Sequence, residues 1–146
     1  MIKNIILKIS VALLLVTISF SQTVNVKIIE TSDVHGAIFP YDFQDGKERG
    51  SSLARVTSYL KEQRADSNQI VFLLDNGDIL QGDPAVYYYN FEKTDTIHLY
   101  ADVMNYMKYD AGTVGNHDIE TGHNVYDKFN KEINFPWLAA NAINTS

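Results

Sequence analysis

The run Ile70-Val-Phe-Leu-Leu74 breaks without a spacer into Asp75-Asn-Gly77-Asp78-Ile-Leu-Gln81-Gly82. A short, continuous apolar run bounded by turn formers is expected for a strand buried on both faces, as found inside parallel sheets. Asn and Gly directly after it make a tight turn. The carboxylates therefore sit at the carboxyl end of the strand, where open α/β sheets bind their ligands.

The same grammar recurs on both sides. Upstream, Val24 to Thr31 alternates as a strand and leads into Ser32-Asp33-Val-His35-Gly36. Downstream, a short strand over Ala111 to Val114 leads into Gly115-Asn116-His117-Asp118. Between them, Gly50-Ser51-Ser52 offers a helix N-cap, and Leu53, Val56 and Leu60 follow at helical spacing. Ile97, Tyr100, Ala101, Met104 and Lys108 mark a second amphipathic helix, Val125 to Ile133 a third, and Pro136 to Ala140 a fourth strand. Strands alternating with helices predict an α/β fold with a mostly parallel sheet.

Composition narrows the field further. The chain has 146 residues, 45% of them apolar, which suits one domain with a real core. Nine Tyr and seven Phe exclude a pervasively disordered chain, and the absence of cysteine excludes disulfide scaffolds and thiol redox chemistry. A net charge of −6 argues against a nucleic-acid polymer as partner.

The first residues read as a leader. Lys3 and Lys8 precede an uncharged apolar run, Ile9 to Phe20, and small Ser19 and Ser21 sit two apart, so cleavage is expected after Ser21. The rival reading, a membrane anchor, needs about 20 apolar residues, more than this run supplies. Residues 1–21 are then a signal peptide and 22–146 the exported domain, with no stable membrane insertion after cleavage. Losing two lysines and no acid takes its net charge to −8. Such a domain suits a bacterial periplasm, cell surface or exterior.

Three strand ends in sequence thus carry carboxylate, imidazole and amide oxygen. That hard-to-borderline ligand set fits Mn²⁺, Zn²⁺, Fe²⁺ or Co²⁺ better than a soft metal. Taken singly, Asp-x-His is usually a capped strand end and Asn-Gly-Asp a routine turn. Together, Glu30-Thr-Ser-Asp33-Val-His35-Gly36, Asp75-Asn-Gly77-Asp78-Ile-Leu-Gln81-Gly82 and Gly112-Thr-Val-Gly115-Asn116-His117-Asp118 strongly resemble the calcineurin-like metallophosphatases. The Gly-Asp-x-x-Gln-Gly form, Tyr109-Asp110-Ala111 and Ala139-Ala140-Asn141-Ala142 resemble the secreted 5′-nucleotidase, UDP-sugar hydrolase and 2′,3′-cyclic-nucleotide phosphodiesterase branch.

The resemblance implies the N-terminal part of a layered α/β/β/α fold and hydrolysis of nucleotides or related phosphate esters. It also implies two divalent metal ions, of Mn, Zn, Fe, Co or Mg. By position, Asp33 and His35 correspond to ligands of the first metal, Asp78 to the bridging carboxylate and Asn116 to a ligand of the second. His117 matches a catalytic histidine that is not a ligand. The family pattern Gly-Asn-His-Glu-Phe-Asp becomes Gly115-Asn116-His117-Asp118-Ile119-Glu120 here, so the longer Glu120 takes the place of the residue that orients that histidine. The later histidines of the family site and its nucleoside-binding domain have no counterpart in the 146 residues, so a missing C-terminal half of the same protein is expected. The competing reading is a secreted α/β module that keeps the motifs but binds metal weakly or not at all.

Other features are assigned bland roles. His123 lies six residues from His117, off the spacing of a zincin helix, and reads as a surface or capping residue. His98, near the start of a helix, reads as structural. Tyr87-Tyr88-Tyr89-Asn90-Phe91 could stack on a nucleobase, but packing a loop against the sheet is the expectation adopted. No P-loop and no Gly-x-Ser-x-Gly elbow is present.

Overall fold

The structure is a computed structural model that describes residues 23–140; the leader expected over residues 1–21 and the closing Asn141-Ala142 lie outside it. Strand β1 (Asn25–Thr31) is followed by a small hairpin of β2 (Tyr41–Asp42) and β3 (Lys47–Glu48), then by helix α1 (Leu53–Ala65) and β4 (Gln69–Asp75). A short helix α2 (Pro84–Tyr87) runs into a π-helical turn (Tyr88–Glu92) and is followed by α3 (Leu99–Met107). The described chain ends with β5 (Ala111–Thr113), α4 (Asn116–Glu120), α5 (His123–Glu132) and β6 (Trp137–Leu138). The main sheet is four-stranded, in the order β1-β4-β5-β6, and every pairing in it is parallel. Each return crossing carries helix, as parallel strands require.

Local chemistry sets the helix ends. The Ser52 hydroxyl accepts the N–H of Arg55 at 3.3 Å and caps α1. Helix α3 ends at Lys108, whose left-handed backbone (φ 57°) stops the helix as a glycine would. Ile97, expected on that helix, precedes it and is exposed. Leu53 and Leu60 of α1, Tyr100, Met104 and Met107 of α3, and Val125 and Phe129 of α5 share one core with Leu73 of β4. Ile29 and Val71 pack against it from the sheet.

The expectation that β4 is buried on both faces is not met. Ile70 and Phe72 are 49% and 40% exposed. They stand in register with Val26 and Ile28 of β1, which are exposed too. Alternate residues of a strand point to opposite faces, so helices cover the Leu73 face and the opposite face is open among the described residues. One helical layer and one sheet of the expected layered arrangement are therefore on view.

The aromatic run also departs from expectation. It does not pack a loop against the sheet: Tyr87 is 60% exposed and Phe91 47%. Asn90 alone of this segment is buried.

Candidate metal centre

All three motif loops lie at the carboxyl ends of β1, β4 and β5. The first two are zipped together through the backbone. Asn76 N donates to Thr31 O at 2.8 Å, Asp33 N to Gly77 O at 3.1 Å, and His35 N to Asp78 O at 3.0 Å. Asp33, His35 and Asp78 all adopt left-handed backbone conformations, with φ of 50°, 47° and 61°. A residue with a Cβ is costly there, so the surrounding bonds must hold each one in place. Gly77 sits between them at φ 91°, where a Cβ would meet Gly115 N at 2.5 Å.

These loops bring one donor atom each of His35, Asp78 and His117 within 4.8 Å of one another. The two imidazole rings meet edge to face, with centroids 5.4 Å apart. His35 Nδ1 lies 2.9 Å from the carbonyl of Gln81. A carbonyl can only accept, so Nδ1 carries the proton and Nε2 keeps a lone pair for an ion. Asp78 Oδ1 accepts the backbone N–H of His117 at 2.9 Å, which ties the third loop to the second.

His117 Nδ1 is 2.9 Å from Glu120 Oε2, one helical turn ahead. That hydrogen bond to Glu120 raises the His117 pKa above the usual histidine value. The same bond holds the Glu120 carboxyl below its ordinary range. Asn116 opens α4 beside His117. Asp33 stands at the end of β1 with its carboxylate accepting from Ser32 Oγ, outside the tight His35–Asp78–His117 group.

His35 and Asp78 offer a borderline imidazole nitrogen and a carboxylate, a pair that suits a divalent cation, with the His117 ring beside them. His123 takes no part. Its exposed ring faces Asp127 at 3.4 Å across one turn of α5.

Two acidic residues hold the loops without reaching the cluster, and the sequence reading gave neither a role. Asp118 is completely buried. Its Oδ1 accepts Ile79 N and Leu80 N, and its Oδ2 accepts Asp78 N and Gly115 N, all at 2.9 Å. Asp75 is also buried, with Oδ1 accepting from Thr31 Oγ1 at 2.8 Å and Oδ2 from Gly77 N at 3.1 Å. Burial pushes the Asp75 carboxyl up to about 6, against the pull of those two bonds and with help from the negative charges of Asp118 and Asp78. An available signal for Asp118 was its place as the third residue of a helix opened by Gly115, where an acid commonly turns back onto the cap.

A profile of the calcineurin-like phosphoesterase family matches residues 26–145. The chain is 36% identical over 135 residues to the trifunctional nucleotide phosphoesterase protein YfkN of Bacillus subtilis, covering 88% of this chain and 9% of that protein. It is 31% identical to a 2′,3′-cyclic-nucleotide 2′-phosphodiesterase/3′-nucleotidase of Yersinia enterocolitica, covering 90% of this chain and 21% of the relative. The solved structure of the calcineurin-like phosphoesterase YfkN from B. subtilis superposes with a TM-score of 0.70 at 34% identity, over 80% of this chain and 37% of that one. The chain thus spans well under half the length of each of these relatives. It belongs to the calcineurin-like phosphoesterase family.

Proposed function

We propose that this member of the family is part of an exported phosphoesterase that hydrolyses nucleotides or related phosphate esters with two divalent metal ions. The observation that carries the reading is the convergence of three strand-end loops on one point, with His35, Asp78 and His117 within 4.8 Å. Relatives named nucleotide phosphoesterase and 2′,3′-cyclic-nucleotide 2′-phosphodiesterase/3′-nucleotidase support the substrate class. The Lys3–Ser21 leader pattern supports export.

Asp33, His35 and Asp78 would hold one ion, and Asp78 with Asn116 a second, completed by residues outside this chain. When bound, such a pair supplies charge neutralisation at the phosphate and an activated water for in-line displacement. His35 contributes an Nε2 lone pair, aimed by its Nδ1–H bond to Gln81. Asp78 supplies carboxylate charge from a loop fixed by the Asp118 carboxylate. His117 acts as a cation. Glu120 on Nδ1 favours the protonated ring, and Nε2–H is then free to stabilise charge on the phosphoryl group or to protonate the leaving oxygen. A protonated imidazole cannot also ligate a metal, which sets His117 apart from His35.

The test is metal analysis of the purified full-length protein together with turnover of p-nitrophenyl phosphate in the presence of Mn²⁺. Bound divalent ions and saturable turnover are expected. A stable protein with neither would be the motif-bearing but inactive module instead.

A further inference from the structure

Beneath the three motif loops, three polar side chains are buried side by side: Thr31 at the end of β1, Asp75 at the end of β4 and Tyr109 just before β5. Thr31 and Asp75 stand in register across the two strands. The Thr31 hydroxyl lies 2.8 Å from Asp75 Oδ1 and 2.9 Å from the Tyr109 hydroxyl. An ionised carboxylate only accepts, so the single Thr31 proton goes to Asp75 and Tyr109 donates to Thr31. Burial pushes the Tyr109 phenol well above its ordinary pKa, which keeps that proton in place.

The chain of donors continues into the loops. Asp75 Oδ2 accepts Gly77 N at 3.1 Å, and Gly77 O accepts Asp33 N at 3.1 Å. Four hydrogen bonds therefore run in series from Tyr109 to Asp33. Gly77 has a positive φ, and so have Asp33, which it bonds, and Asp78, which follows it. Such backbone persists in residues with a Cβ only where the surroundings fix it. Apolar side chains of like shape would fill the same space without desolvating polar groups, so packing alone does not account for the trio.

We propose that Tyr109 is a positioning residue of the metal centre: through Thr31 and Asp75 its hydroxyl locks the Gly77 turn, and with it the setting of Asp33 against Asp78. The role in metal binding rests on the two-ion reading of this centre, whereas the lock itself needs no ion. Partners one step behind metal ligands orient them, and losing one typically costs about 10–100-fold in metal affinity. Tyr109 acts from further back, so the lower end of that range is expected.

The experiment uses the full-length protein. Tyr109→Phe removes only the hydroxyl, Thr31→Val substitutes an apolar residue of the same shape, and Thr31→Ser keeps the hydroxyl. Mn²⁺ affinity, measured by calorimetry, should fall about tenfold in the first two and recover in Thr31→Ser. Leu60→Val, a core truncation on α1, should lower the unfolding midpoint and leave Mn²⁺ affinity unchanged. Amide exchange of the metal-free protein reads the lock directly. The Gly77 and Asp33 amides should exchange several-fold faster in Tyr109→Phe and Thr31→Val than in the parent or Leu60→Val. A parent that binds Mn²⁺ and variants that bind it equally well would overturn the positioning role and leave the phosphoesterase reading intact. An affinity that falls as far in Leu60→Val would overturn it too, as a mere loss of stability. A parent that binds no Mn²⁺, with the expected exchange pattern, would uphold the lock and remove the two-ion reading.

Discussion

Asp118 Oδ2 accepts the backbone N–H of Asp78 at 2.9 Å, across the gap between the third and second motif loops. The same oxygen accepts Gly115 N, while Oδ1 accepts Ile79 N and Leu80 N. One buried carboxylate thus satisfies four N–H groups that have turned out of any strand or helix ladder. Acceptor-only chemistry is required here, because a carboxylate offers both oxygens.

Asp118→Asn should therefore lower stability by about 2–5 kcal/mol, since the new amide sets a donor against two backbone donors. Urea unfolding of the metal-free protein measures the loss. A change within about 0.5 kcal/mol, as for an ordinary surface site, would show that the four bonds are not what holds the loop.

Asp78→Asn should reduce bound metal more than Asp33→Asn does. A carboxylate shared by two ions weakens both sites when its charge is removed. Inductively coupled plasma analysis of each variant decides it, and two ions retained per Asp78→Asn chain would end the bridging assignment.

His117→Asn should lower kcat by about 10²–10⁴-fold with metal content near normal. Glu120→Gln should act on the same ring more gently. The Glu120 bond raises the His117 pKa, so activity that depends on the protonated ring is present below that pKa and lost as pH rises through it. Removing the carboxylate moves this alkaline limb of the kcat profile to lower pH. Loss of one metal from His117→Asn would make this histidine a ligand.

Low pH should unlock the aromatic turn through His98. This ring is 1% exposed, and burial, with Lys128 nearby, depresses its pKa from 6.5 to about 4, against the opposing pull of Glu132. Its Nε2 faces Asn90 Oδ1, and its Nδ1 accepts Tyr100 N at 3.3 Å, so the neutral ring fits both partners. The unfolded chain takes up the proton first, so stability falls as pH drops from about 6.5 to 4, by about 3 kcal/mol in total. Thermal unfolding across that window should show the fall in the parent and a flatter profile in His98→Gln.

Much of this was legible in the sequence because periodicity and caps act locally. Leu53, Val56 and Leu60 after Ser52 specify α1, and the Ile70–Leu74 run specifies β4, without reference to distant residues. Whether a strand face is covered is not a local property, which is why Ile70 and Phe72 were expected to be buried. The hairpin of Tyr41–Asp42 with Lys47–Glu48 has strands too short for any alternation to register. Positions of candidate site residues followed from the strand-end grammar, but their support did not. A carboxylate in the first turn of a helix, such as Asp118, reads as ordinary dipole compensation until the loop it holds is seen folded over it.

The sheet is anchored unevenly. Strands β1 and β4 pair from Asn25↔Gln69 to Thr31↔Asp75, whereas β5 meets β4 only at Leu74↔Ala111 and Asp75↔Gly112. In hydrogen exchange, Ile29 and Leu74 amides, which face the β1–β4 seam, should open only with the whole molecule, and those of Gly112 and Val114 through small local fluctuations. His35 and Asp78 therefore follow two strands paired along seven positions, and Asn116 and His117 follow one that meets β4 at two. An ion gripped by both sides would act as a latch, and amide protection along β5 should report its arrival.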